Sequence, residues 1–264
     1  MKLACIDEGP HNAGTIPLVL LHAYPMDARM WRNQVDEFSA RRRVVAPDFR
    51  GYGGSVHYPD EPFSVSNFAG DVLETLDALG ISKAVFAGCS MGGYVIFELW
   101  RRAPERISGL VLCDTRAEAD DGPTREKRAQ QIQTMQQKGS GFLAGFVEEN
   151  QVSPHTRTHN QPLVQKLKAW ALGAVPGAPV RTIQMLEDRP DSFSTLPGIT
   201  VPTMVVVGED DTITPLPMAQ VMAHCIPNSK LQTIRNAGHL SPIENPGEVI
   251  GAIVSVLREV DNIQ

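Results

Sequence analysis

The strongest constraint on this chain's fold is a series of short, Val-rich apolar runs cut off by glycine and proline. Pro17 to Leu21 (PLVLL), Val44 to Pro47 (VVAP), Ala84 to Gly88 (AVFAG), Leu110 to Cys113 (LVLC) and Thr203 to Val207 (TMVVV) are the main ones, and Lys230 to Ile234 (KLQTI) follows. Runs this short and this rich in Val predict strands buried on both faces, as in a parallel sheet.

Helical patterns fill the gaps. From Ser66 to Leu79 the apolar residues Phe68, Val72, Leu76 and Leu79 recur every three or four positions and so share one face, which Gly80 ends. Ser90 to Ala103 predicts a second helix, stopped before Pro104. Asn245 to Val260 predicts a third, with Pro246 at its first position and Val249, Ile253, Val256 and Val260 along one side. Strand–helix alternation with short connections implies an α/β fold: a mostly parallel, doubly wound sheet with helices on both faces. Residues 117–196 differ. They hold no convincing strand, and roughly 80 residues is too long for a plain loop. Thr124 to Lys138, Phe142 to Val147, Leu163 to Leu172 and Val180 to Leu186 read as short helices. We expect a thin helical cap (lid), 117–196, inserted in a core made of 1–116 and 197–264.

Composition removes several classes of function. The 264 residues carry 24 Lys and Arg against 30 Asp and Glu, a net charge of -6. That balance lacks the basic footprint of a nucleic-acid binder. No apolar run approaches the roughly 18 residues of a membrane span, and Asp7 and Glu8 interrupt any signal-peptide core. The four cysteines (Cys5, Cys89, Cys113, Cys225) form no CxxC pair, which suits free thiols in a reducing, cytoplasmic setting.

Three segments could carry chemistry. Gly88-Cys89-Ser90-Met91-Gly92 matches G-x-S-x-G directly after a strand and at the start of a helix, the setting of a nucleophile turn. A serine hydroxyl is a weak nucleophile and needs a base. Of seven histidines, His239 in Asn236-Ala237-Gly238-His239-Leu240 follows the last strand, at the sheet edge that also carries Ser90. The base needs an acid to hold its tautomer. Glu209, Asp210 and Asp211 cluster after strand Thr203 to Val207. Asp211 is preferred because Pro215 would brace the turn after it, with Asp210 the competitor. Backbone N–H groups of Met91, after the nucleophile, and Tyr24, in the loop after the first buried strand, would form the oxyanion hole. Trp31, Tyr94 and His22 are candidates for the substrate pocket, although core packing suits the first two as well and an oxyanion-loop brace suits the third. Arg50 and Gly51 to Ser55 read as a tight turn without a phosphate-binding lysine. His155 and His159 stand four apart, with no third ligand nearby to complete a zinc site.

The segments LLHAYPMDARMW, PDFRGYGGS, GCSMGGY, GEDDTITP and NAGHLSPIENP together resemble the α/β-hydrolase superfamily. They are most similar to its small esterase, enol-lactonase and cofactor-free haloperoxidase group, including 3-oxoadipate enol-lactonase. The resemblance implies Ser90 as nucleophile, Asp211 as acid, His239 as base, and Tyr24 and Met91 as oxyanion donors. It implies a serine carboxylesterase acting through an acyl-enzyme on a small-molecule ester or lactone, with no metal and no cofactor. An enol-lactonase, a perhydrolase or haloperoxidase, and a slow-turnover ligand receptor are the alternatives. The family usually has His-Gly where this chain has His22-Ala23. Serine at the nucleophile position argues against the dehalogenase and epoxide hydrolase branches, which use a carboxylate there.

Overall fold

The structure, a computed structural model, describes residues 1–11, 14–58, 60–139 and 141–263. The strands are β1 (Cys5–Glu8), β2 (Leu18–Leu21), β3 (Val44–Pro47), β4 (Ala84–Cys89), β5 (Ile107–Cys113), β6 (Thr203–Gly208) and β7 (Ser229–Ile234). Around the sheet lie α1 (Arg32–Phe38), α2 (Val65–Ala78) and α3 (Met91–Arg102). Between β5 and β6 come α4 (Gly122–Lys138), α5 (Gly141–Phe146), α6 (Pro154–His159), α7 (Gln161–Ala171) and α8 (Ala178–Asp188). The chain ends with α9 (Leu216–Cys225), α10 (Ser241–Glu244) and α11 (Pro246–Ile263).

The sheet runs β1-β3-β2-β4-β5-β6-β7. All pairings are parallel except β1 with β3. Every residue of β2, β3, β4 and β6 is buried, which is why these strands show no apolar–polar alternation. The two edges of the sheet depart from the pattern of buried apolar runs. β1 has no such run to announce it: it is an antiparallel edge strand, only half buried, and it carries Asp7 and Glu8. β7 is not buried on both faces: it is the other edge, with Leu231 and Thr233 exposed. Polar side chains on an edge also discourage pairing with other chains. α1, α9 and α10 are short or flanked by proline and were not expected.

The order of strands turns around between β2 and β4, because β3 lies outward of β2 on the opposite side from β4. An open parallel sheet forms its crevice at such a switch point, beyond the C-terminal strand ends. The loop after β2 carries Tyr24, and the turn after β4 carries Ser90. Registers Leu21↔Gly88 and Gly208↔Ile234 bring the chemistry-bearing strand ends level. Among the described residues, 117–196 contains helices and no strand. α4 buries only Met135, in keeping with its charged, Gln-rich sequence.

Candidate active site

Ser90 sits between β4 and α3 with φ +51° and ψ −108°, a backbone region that non-glycine residues rarely adopt. The elbow closes only because Gly88 and Gly92 lack side chains. A Cβ at Gly88 would lie 2.6 Å from the carbonyl carbon of Gly92, and one at Gly92 would lie 2.3 Å from the carbonyl oxygen of Leu21. Two hydrogen bonds hold the strained residue: its N–H donates to the Cys113 carbonyl at 2.9 Å, and the Thr115 hydroxyl donates to its carbonyl at 2.9 Å. Only 8% of Ser90 is exposed.

His239 Nε2 lies 2.8 Å from Ser90 Oγ. Its Nδ1 lies 2.9 and 3.1 Å from the two Asp211 oxygens. A carboxylate there holds the proton on Nδ1 and leaves Nε2 free to accept from the serine. Asp211 is fixed by the turn after β6: the N–H groups of Ile213 and Thr214 donate to Oδ1 at 2.8 and 3.0 Å, and the Thr214 hydroxyl donates to Oδ2 at 2.6 Å. Glu209 and Asp210 are exposed, and neither pairs with His239. Of the three adjacent acids, the structure brings Asp211 to the histidine.

These contacts set the electrostatics. Burial alone would depress the His239 imidazolium, but the Asp211 carboxylate, aided by Asp114 and Glu244, lifts its pKa above the ordinary 6.5. Burial pushes Asp211 up, yet the His239 charge and the Thr214 hydrogen bonds hold it below the usual carboxylate range. A base must be neutral to accept the serine proton. The acid limb of kcat/KM is therefore expected above pH 6.5, with activity falling as pH drops through it. A pH–rate profile on a neutral ester checks this; a rate flat from about pH 5 to 8 excludes His239 as base.

Tyr24 and Met91 lie on adjacent strands' exits, and among the described residues neither backbone N–H donates to a protein acceptor. The Tyr24 loop is braced from both sides. His22 Nε2 accepts from Phe49 N–H at 2.9 Å while Nδ1 lies 3.0 Å from the Ala23 carbonyl. Full burial lowers the His22 pKa, keeping the ring neutral. Ala23 does not take a positive φ, so alanine meets the backbone requirement where the family usually has glycine.

Two pocket expectations need correcting. His22 is fully buried with both ring nitrogens engaged, and Trp31 is fully buried in the core. Their side chains serve the loop and the core, while Tyr94 lines a cleft. The Arg50 to Ser55 stretch is a turn closed by Gly51 N–H on the Ser55 carbonyl, with Arg50 paired to Asp71 at 2.7 Å.

Two further residues escaped the sequence reading. Asp114, directly after β5 with φ +46°, is fully buried. It accepts from Gly208 N–H at 2.8 Å, Ser241 N–H at 3.0 Å and Ser241 Oγ at 2.6 Å, and Cys89 Sγ approaches it at 3.8 Å. One carboxylate thus ties together the segments bearing Ser90, Asp211 and His239. Burial, then the Asp211 charge, pushes its pKa up to about 7. The available signal was an acid at a strand end on the same sheet edge. Gln151 ends a single π-helical turn, Val147–Gln151, following α5. Its carbonyl accepts from His239 N–H at 2.9 Å and its Nε2 donates to the Tyr24 carbonyl at 2.8 Å. No local pattern announces that residue.

Asp114→Asn should lower stability by about 1–3 kcal/mol, since an amide Nδ2 cannot accept from Ser241 N–H. It should also move the acid limb of activity to lower pH, because Asp114 helps raise His239. Denaturant unfolding and a pH–rate profile check the two effects; an unmoved limb would leave Asp114 a purely structural anchor.

Comparison with known proteins agrees with this architecture. A family model described as alpha/beta hydrolase fold matches residues 16–246. A thermophilic esterase from Thermogutta terrifontis, solved with malate bound, superposes with a TM-score of 0.91 at 35% identity over 98% of this chain and 93% of its own. The enol-lactonase from Burkholderia xenovorans LB400 gives 0.88 at 26% identity, covering 97% and 96%. 3-oxoadipate enol-lactonase 1 from Acinetobacter baylyi is 29% identical over 96% of this chain and 92% of its own length. With a strand–elbow–helix at Ser90, a switch-point crevice and a whole-length likeness to enzymes of this kind, the chain belongs to the α/β-hydrolase fold family, in its enol-lactonase and esterase-like group.

Proposed function

We propose that this chain is a serine hydrolase that cleaves small carboxylic esters through an acyl-enzyme on Ser90. The single observation behind the proposal is the continuous chain from Ser90 Oγ to His239 Nε2 at 2.8 Å and from His239 Nδ1 to Asp211 at 2.9 Å. In this reading Ser90 attacks the acyl carbonyl as its proton passes to His239 Nε2. Asp211 stabilises the imidazolium. The Met91 and Tyr24 N–H groups hold the oxyanion. His239 then protonates the leaving alcohol, and water repeats the sequence on the acyl-enzyme. No metal or organic cofactor takes part. Residues 117–196 act as a cap over the core of 1–116 and 197–264, and Gln151 links that cap to both the Tyr24 loop and the His239 loop. Four free cysteines fit a cytoplasmic enzyme. No helix among the described residues is long and apolar enough to cross a membrane.

The test is acyl-enzyme trapping with p-nitrophenyl acetate. We expect a burst of p-nitrophenol stoichiometric with enzyme, and an acetyl group mapped by mass spectrometry to the peptide containing Ser90. A label on another residue would overturn the mechanism. A second reading, opening of an enol-lactone, is favoured by the whole-length likeness to enol-lactonases from two organisms. It uses the same residues, with the leaving oxygen tethered in the ring.

A further inference from the structure

The loop that carries His239 is not held by the sheet alone. Residues 151–153, at the end of the π-helical turn Val147–Gln151, run directly against it. His239 N–H donates to the Gln151 carbonyl at 2.9 Å, and Ser153 Oγ donates to the Asn236 carbonyl at 3.0 Å. The Glu244 carboxylate joins the two segments, accepting from Ser153 N–H and from Gly238 N–H, each at 2.8 Å. A Cβ at Gly238 would lie 2.8 Å from both the Gln151 carbonyl oxygen and the Ser153 nitrogen. Glycine beside the catalytic histidine is therefore required by this close approach of backbone to backbone.

Gln151 also reaches a second loop. Its side-chain Nε2 donates to the Tyr24 carbonyl at 2.8 Å. The residue is 2% exposed, and its Oε1 has no acceptor role to fill among the described residues. A buried amide oxygen left unpaired is costly, and a methionine would occupy a similar volume without that cost. What the amide supplies and methionine cannot is the bond to Tyr24. The π turn adds one residue per turn to the usual helical path, and it is held from outside by Arg157, whose Nη1 donates to the Glu148 and Glu149 carbonyls at 3.4 and 3.2 Å. One residue thus grips the base loop with its backbone and the Tyr24 loop with its side chain.

We propose that Gln151 is a positioning residue of the reaction, setting the oxyanion donor at Tyr24 and the base at His239 in fixed register with Ser90. The inference rests on the acyl-enzyme reading of Ser90. Gln151 acts through its two neighbours and not on the substrate. Its bond to the Tyr24 carbonyl fixes the backbone rotation at that residue, and with it the aim of the Tyr24 N–H. Its own carbonyl fixes the backbone of His239, whose Nε2 must meet Ser90 Oγ. An oxyanion donor acts on charge that develops only in the transition state. Losing its alignment therefore slows the acylation step and leaves ground-state binding of the ester unchanged.

The experiment is stopped-flow acylation by p-nitrophenyl acetate, which separates the binding constant Ks from the acylation rate, beside inhibition by 1,1,1-trifluoro-2-butanone. In the inhibited enzyme Ser90 Oγ bonds to the ketone carbon, its proton passes to His239, and the former carbonyl oxygen becomes the oxyanion. The variants are Gln151→Met, which keeps the volume and removes the donor, and Gln151→Asn, which keeps the amide and draws it one methylene short of Tyr24. If Gln151→Met does not fold, Gln151→Asn carries the test. We expect acylation to slow by about ten- to a hundredfold with Ks within about twofold, the scale of a misaligned catalytic group. The ketone should lose affinity by the same factor as the rate. Gln165→Met, the same change at an exposed position on α7, should alter neither. Variants that acylate and bind the ketone like the wild type, or that raise Ks alone, overturn the positioning role, because a segment that merely covers the substrate would change binding and not rate. Ser90→Ala run in parallel keeps the two readings apart. If it still forms the ketone adduct, the serine mechanism falls and this inference with it; if it does not, and the Gln151 variants match the wild type, the positioning role alone falls.

Discussion

Ser90→Ala is expected to abolish ester hydrolysis while leaving the fold intact. Losing the nucleophile removes the covalent route entirely, and what remains is whatever water gains from the oxyanion donors and binding. A drop in kcat of about 10⁴ to 10⁶-fold is the scale for such a site. The substitution removes one oxygen from a side chain that bears no packing burden, and the elbow stays held by Cys113 and Thr115. Thermal unfolding of the variant should therefore coincide with that of the wild type. A variant that keeps more than about a tenth of the rate would show that Ser90 is not the nucleophile, since no partial loss is compatible with a missing attacking atom.

The second large effect is expected from Asp211→Asn. Asparagine fits the same turn, and its Oδ1 can still accept from Ile213 and Thr214. The amide nitrogen, however, donates where the carboxylate accepted. His239 Nδ1 then becomes the acceptor and the proton moves to Nε2, which can no longer take one from Ser90 Oγ. A loss of about 10⁴-fold in kcat is the scale for a reversed tautomer of this kind. The partner control is Asp210→Asn, whose exposed side chain makes no contact with His239. It should leave kcat within experimental error. Equal losses in the two variants would mean that the charge of the acidic loop matters and not the hydrogen bond at Nδ1.

Much of the architecture was legible because it is written in local pattern. β3 begins and ends where the VVAP run does, and β2, β4 and β6 fall within a residue of their apolar runs. Buried strands must be apolar throughout, so short contiguous runs announce them. The Ser90 elbow was legible for the same reason: tight packing demands glycine at 88 and 92, whatever the rest of the chain does. The edges were harder. β1 carries Asp7 and Glu8, and Asp7 takes a salt bridge from Arg43, a contact with no trace in the strand's own residues.

Sequence alone therefore determined the buried strands, the elbow, and the order in which Ser90, the acidic turn at 209–211 and His239 follow the sheet, because each depends on residues within a few positions of one another. Tertiary structure alone decided the rest. It chose Asp211 over Asp210 through the direction in which one turn leaves β6. It drew Asp114 beneath three separate segments, and it set Gln151, 127 residues from Tyr24, against the oxyanion loop. It also gathered Arg116, Arg128 and Arg189 onto the one buried carboxylate of Asp120. A side chain's direction is set by what packs around it from distant parts of the chain, and a linear pattern holds no record of those neighbours.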